Sequence, residues 1–198
     1  MKRIDEFPSH ELNGIKYKAG KAMPFGANVL DHNTVNFSVY SKDATACSLV
    51  LYHLGDEKPY IEIPIPEEFH IGSVYSIMIF DLDWENTEYG YRFDGPYDLK
   101  NGYCFDKTKI VLDPYAKLVS GRDKWHTRQY PKDGFQFRGR IIREDYDWEG
   151  DQPLNTPMKD LIIYEMHIRG FTKHESSGVK NKGTFAGVVE KIPYLKEL

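Results

Sequence analysis

The tightest constraint on this chain is a rhythm in its first 112 residues. Segments 34–40, 46–52, 60–65, 74–80, 87–93 and 107–112 are short and rich in β-branched and aromatic residues, and turn-forming clusters separate them. Asp31-His-Asn33, Leu54-Gly-Asp56 and Asp94-Gly-Pro96 supply the residues that tolerate tight or positive-φ turns. Within a segment the pattern alternates: Val35, Phe37 and Val39 share one face, and Asn36, Ser38 and Tyr40 the other. Ile61, Ile63 and Ile65 repeat it, and Pro64, which has no amide to donate, marks that strand as an edge. Strands of this length and spacing predict an immunoglobulin-like β-sandwich over 1–119.

From about Ser120 the rhythm stops. Residues 120–158 are charged, aromatic and rich in Gly and Pro without a sustained period, which predicts an ordered connector. Trp125, Tyr130, Phe135, Phe137, Tyr146 and Trp148 need surfaces to pack against, and Ile141-Ile142 is a candidate short strand. Over 159–198 the signals change to a strand, a loop and a helix. Residues 160–169 read as a strand, 170–183 as a polar loop, and Thr184 as the N-cap of a helix whose stripe is Phe185, Val188, Val189, Ile192 and Leu195. Pro193 removes an amide and is expected to kink or divide that helix. One strand and one helix form a βα unit, the opening of a (β/α)8 barrel that cannot bury itself alone.

Charge and composition exclude several partners. The 26 Lys+Arg against 30 Asp+Glu give a net charge of -4 with no basic run, so nucleic acid is not an expected ligand. The first ten residues lack the apolar core of a secretory signal, and no stretch approaches a bilayer span, so no membrane is expected and the default location is cytoplasmic. Cys47 and Cys104 lack zinc-site spacing and read as reduced packing residues. The acidic run 81–86 resembles a calcium loop but has Asn86 where the turn glycine belongs and Arg92 where the bidentate acid belongs. No metal site is expected. On the strand at 160–169, Glu165, His167 and Arg169 share a face; they read either as a buried polar network or, for His167, as a group facing substrate.

The 14 Tyr, 11 Phe and 3 Trp suit both β-strands and the C–H faces of sugars. Specific motifs decide more. Pro24-Phe-Gly-Ala27, Val35-Asn-Phe-Ser-Val-Tyr-Ser41, the stretch 89–97, Phe105-Asp-Lys107 and Leu112-Asp-Pro-Tyr-Ala-Lys117 resemble the N-terminal module of isoamylase-type and glycogen-debranching enzymes of the α-amylase superfamily, glycoside hydrolase family 13. Ile163-Tyr-Glu-Met-His167, Arg169-Gly-Phe-Thr172, Gly183-Thr-Phe-Ala-Gly187 and Tyr194-Leu-Lys196 resemble the opening of their catalytic barrel.

The resemblance implies a sandwich of carbohydrate-binding module family 48 followed by the first βα unit of a barrel, with hydrolysis of α-1,6 branch points in glycogen, amylopectin or limit dextrins. It implies no cofactor. Its partners would be the branched α-glucan and the rest of the barrel. The retaining chemistry of such enzymes uses two carboxyl groups about 5 Å apart. They are expected beyond Leu198, so no catalytic residue is assigned and the chain alone is expected to be inactive. Trp84, the sole Trp of the expected sandwich, and Tyr97 are candidate sugar contacts, with His167 as a third. A non-catalytic glucan-binding or barrel-positioning module and a glucan branching enzyme are the alternatives.

Overall fold

A computed structural model describes residues 7–31, 33–121 and 137–198. The chain divides into two compact units, Met1–Tyr146 and Asp147–Leu198. In chain order the first unit's strands are β1 (His10–Leu12), β2 (Ile15–Ala19), β3 (Gly26–Val29), β4 (Val35–Tyr40), β5 (Ala46–His53), β6 (Ile61–Pro64) and β7 (His70–Ile71). They continue with β8 (Val74–Ile79), β9 (Thr87–Asp94), β10 (Tyr97–Asp98), β11 (Tyr103–Cys104), β12 (Leu118–Ser120) and β13 (Arg138–Arg140).

These strands make a sandwich of two antiparallel sheets. One runs β1-β2-β8-β4-β3, with β7 also on β8; the other runs β12-β13-β9-β5-β6. The inward sets interdigitate as facing sheets do: Val35, Phe37, Val39, Ile77 and Ile79 from the first sheet, and Leu49, Leu51, Ile63, Tyr89 and Tyr91 from the second, are essentially inaccessible. Phe37 and Tyr89 meet edge to face at 5.1 Å. β6, with Pro64, is an edge strand, as its missing amide requires.

The outer face of β4 departs from simple alternation. Asn36 and Ser38 are also buried, because the chain after β2 crosses over them. Asn36 accepts from the Lys21 amide at 2.7 Å and donates to the Lys21 carbonyl at 2.9 Å, and Ser38 donates to the Ala22 carbonyl at 2.7 Å. The crossing is close enough that a Cβ on Gly20 would lie 2.6 Å from the Ile77 nitrogen. β1, β2 and β3 had no counterpart among the expected segments.

Segment 107–112 is not a strand. Asp106 turns the chain there by accepting from the Thr108 amide and hydroxyl at 2.9 and 2.6 Å. Only Val111 pairs, exchanging two backbone bonds with Tyr91 at 2.7 and 3.0 Å. The neighbouring positions of β9, Glu88 and Tyr89, are taken by β13. This strand, from within the stretch expected to be a connector, ends just before Ile141, which is 2% exposed and joins the core. Of the connector's aromatics, Trp125, Tyr130 and Phe135 lie outside the described residues, while Tyr146 and Trp148 are largely exposed.

After Val111 the strap is anchored by Asp113, a carboxyl only 1% exposed. It accepts the Tyr89 hydroxyl proton at 2.7 Å and the Tyr115 amide at 2.9 Å. Tyr115 then stacks on Phe25, 4.6 Å between ring centres. Burial pushes the Asp113 carboxyl above its ordinary value, with the Tyr89 hydroxyl and the Tyr115 amide pulling the other way. Tyr89 is raised by burial first and by the Asp113 charge second.

In the second unit, the expected strand at 160–169 is corrected. A single 3-10 turn, Met158–Asp160, opens the segment, 161–167 pairs with no strand among the described residues, and helix α1 (Ile168–Lys173) begins where the strand was to end. A strand exists only through its ladder, and among the described residues none supplies the neighbours that a barrel strand requires. The helix expected from Phe185 is divided into α2 (Phe185–Val189) and α3 (Ile192–Glu197), with Pro193 in the first turn of α3. Thr184 caps α2 by accepting the Gly187 amide at 3.2 Å.

Two outcomes test this packing. A Cβ on Gly139 would lie 2.5 Å from the Tyr89 ring, whose hydroxyl is held by Asp113, so Gly139→Ala should lower stability in urea unfolding by about 1–3 kcal/mol. The raised Asp113 carboxyl contributes stability below its unfolded value of about 3.9 that is lost as pH rises through its folded value. The stability difference between the natural chain and Asp113→Asn should therefore shift against the natural chain as pH rises from 3 to 7. A flat difference would show that burial does not perturb this group.

Candidate functional site

The turn between β8 and β9 shapes an open concavity of the first unit. β8 ends at Ile79, and Asp81 adopts a left-handed conformation, φ 54°. The Leu82 amide then donates to the Asn33 carbonyl at 2.9 Å, and its side chain is buried in the core. A 3-10 turn, Trp84–Asn86, follows. Asp83 closes it: its carboxylate takes the Asn86 side-chain amide at 3.2 and 2.9 Å, and its carbonyl takes the Thr87 hydroxyl at 2.6 Å. Trp84 is thereby half-buried against the core.

Around it lies an open cleft of about 440 Å³ lined by Asn33, Asp81, Asp83, Trp84, Glu85 and Arg143. An indole beside carboxylate, amide and guanidinium groups offers an apolar surface with both acceptors and donors, the complement of a sugar ring and its hydroxyls. The carboxylates do not form a cation site: among the described residues no group of three or more His, Cys, Asp or Glu is placed to hold a metal.

Tyr97 lies elsewhere. It sits on the β10–β11 hairpin, paired with Cys104 and 66% exposed. The hairpin is well built: Asp98 accepts the Lys100 amide at 3.1 Å and the Asn101 side chain at 2.7 Å, and Gly102 closes it at φ 81°. Trp84 precedes β9 and Tyr97 follows it. Eight strand residues at about 3.3 Å each separate them, so the two aromatics do not form one site.

His167 belongs to the second unit. It is an exposed N-cap, its Nδ1 accepting the Gly170 amide at 3.0 Å. Glu165 and Arg169 are exposed as well, so the three do not form the buried network that a shared strand face would give.

The best-connected charged group was not apparent in the sequence. Arg138 of β13 lies over the Tyr52 ring at 3.6 Å, pairs with buried Glu88 at 3.1 Å, and donates to the Glu57 carbonyl at 3.1 Å and to the Asp56 carbonyl. It ties the turn after β5 to β9 and is a structural clamp. Only the cross-strand pairing Tyr52↔Glu88 brings its partners together, and that register is not a local sequence signal. Cys47 is buried with its thiol pushed up by desolvation, so it is unreactive. No helix is long and apolar enough to cross a membrane among the described residues.

Residues 24–116 match the family model of carbohydrate-binding module 48 (isoamylase N-terminal domain). The chain is 42% identical to isoamylase 1, chloroplastic, of Arabidopsis thaliana over 186 residues, covering 90% of this chain and 24% of that protein. It is likewise 42% identical to isoamylase SU1, chloroplastic, of Zea mays, with 91% and 24% covered. Among solved structures, the pullulanase of Paenibacillus barengoltzii in complex with maltohexaose and alpha-cyclodextrin matches with a TM-score of 0.58 and 26% identity, over 87% of this chain and 24% of that one. The chain thus spans about a quarter of the length of the isoamylases it matches. With the sandwich and a match to isoamylases over 90% of the chain in place, the chain belongs to the isoamylase family, and its sandwich carries that family's carbohydrate-binding module 48.

Proposed function

We propose that this chain is the N-terminal part of a hydrolase that cleaves α-1,6 branch linkages in glycogen- or starch-type α-glucans. One observation carries the reading: the similarity to isoamylase 1 runs through 90% of the chain at 42% identity, across both compact units rather than the sandwich alone. A module borrowed by an unrelated protein would keep the sandwich and lose the match after it. The same relatives favour debranching over branching.

The acid and nucleophile carboxyl groups of a retaining mechanism belong to barrel elements outside residues 1–198, so this stretch alone is inactive. Asp160 and Glu165, both exposed, are not assigned to catalysis. The compartment is the cytoplasm on the sequence reading, with the chloroplast of the plant isoamylases as the alternative.

The Trp84 cleft favours a second role, in which the sandwich also holds α-glucan. Tyr97, on its exposed hairpin, is a separate candidate contact.

Reducing-end release from amylopectin tests the first role, comparing residues 1–198 with the full-length protein that carries them. Cleavage by the full-length protein alone supports debranching; none by either overturns it. Retention of the 198-residue chain in a glycogen-containing gel tests the second. Trp84→Ala should abolish retention and Tyr97→Ala leave most of it, and equal retention of the natural chain and Trp84→Ala would remove the cleft from consideration.

A further inference from the structure

The pairing of β13 with β9, Gly139↔Tyr89 and Arg140↔Glu88, sets it beside the first residues of that strand, where the Trp84–Asn86 turn ends. From there Arg140 reaches the turn itself: its guanidinium donates to the Glu85 carbonyl at 3.1 Å. Ile141, the next residue, is 2% exposed and enters the core. Two residues on, Arg143 lines the Trp84 cleft. Strand pairing, a side-chain bond and a buried anchor therefore deliver Arg143 to the cleft from a fixed base. Residues 24–116 match the carbohydrate-binding module, and Arg143 lies outside that span, so the cleft takes part of its lining from a segment that the module does not include.

Arg138 and Arg140 direct their donors to carbonyls and a carboxylate of the protein. Arg143 is exposed, and among the described residues no hydrogen bond or ion pair engages its guanidinium, nor the carboxylates of Asp81 and Glu85. A guanidinium has five N–H donors and no acceptor, so its ligands are oxygen acceptors: a phosphate, a carboxylate or the hydroxyls of a sugar. Its neighbours decide among these. Asp81, Asp83 and Glu85 line the same cleft, three carboxylates against one guanidinium, and an entering anion meets net repulsion. Hydroxyls meet none: they accept from Arg143 and donate to Asp81 and Glu85, while the half-buried Trp84 indole offers an apolar surface to the C–H face of the ring.

We propose that Arg143 is a ligand-binding residue of the Trp84 cleft, donating to hydroxyls of an uncharged glucosyl unit, and that the cleft disfavours phosphorylated ones. The inference rests on the glucan-binding role given to the sandwich above.

The test is electrophoresis of the 198-residue chain in glycogen-containing gels, with maltohexaose, which carries no ionised group, as the soluble competitor. Arg143→Gln should weaken retention about tenfold, the loss of one charge-assisted hydrogen bond. Its urea midpoint should not change, because the side chain is exposed. Arg143→Lys, a charge without the fork, should recover part of the retention. Lys42→Gln removes the same charge in the turn before β5, whose Thr45 amide meets the Asp94 carbonyl at the far end of β9, and should match the natural chain. Maltohexaose should release the natural chain, and inorganic phosphate at the same concentration should not. Unchanged retention of Arg143→Gln beside lost retention of Trp84→Ala would overturn the role of Arg143 while the cleft keeps its glucan. Equal weakening by Lys42→Gln, or release by phosphate, would overturn the assignment to uncharged hydroxyls. A natural chain that is not retained would overturn the glucan-binding role and this inference with it.

Discussion

The pairing of β5 with β9 is the interaction on which the rest of the first unit depends. Its register runs without a break from Ala46↔Asp94 to His53↔Thr87. Alternate residues from both strands enter the core, and the other edge of β9 receives β13 and the Val111 bridge. A one-residue slip of β9 would send Tyr89 and Tyr91 to the opposite face. It would also part Tyr52 from Glu88 and so dismantle the seat of Arg138. The cleft at Trp84 and the hairpin at Tyr97 lie at the two ends of this same strand, so β9 sets the distance between them.

Polar groups reinforce that register from both sides. Inside, Asp113 binds the Tyr89 hydroxyl and turns the strap over the sheet; outside, Arg138 engages a carboxylate, two carbonyls and a ring face. A buried guanidinium without such partners would be strongly unfavourable. Its full set exists only when β13, β9 and the turn after β5 are all in place. These contacts therefore reinforce the strand arrangement that the apolar core sets.

What could be read from the sequence follows the range of each signal. Period-2 alternation is local, and β4, β5, β6, β8 and β9 lie where it put them. Thr184 as a cap and Pro193 as a divider are equally local. Segment 107–112 has strand composition, but Asp106 turns it and β13 occupies the edge it would have used, and that competition lies beyond any window of the sequence. β1 to β3 are short and weakly alternating, so pairing rather than pattern makes them strands. At the candidate site the type of residue was legible in Trp84 and Tyr97, and their separation was not, since it depends on which end of β9 each one flanks. Glu190, which accepts the Lys180 and Asn181 amides and the Asn181 side chain, carries no sequence signal for that role because two of its three donors are backbone amides, which every residue but proline possesses.

The two units differ in how completely they satisfy themselves. The sandwich buries the inward rows of both sheets. In the second unit Ile162, Ile163 and Phe185 are 93%, 82% and 78% exposed, and its helices have only five or six residues. Helices so short have little stability of their own in water. Apolar side chains on an unpaired extended segment gain nothing from solvent. Yet the caps at His167, His174 and Thr184 and the bonds to Glu190 are all formed. The local polar bonds of this unit therefore fix the shape of its loop, while its apolar residues remain a surface to be covered.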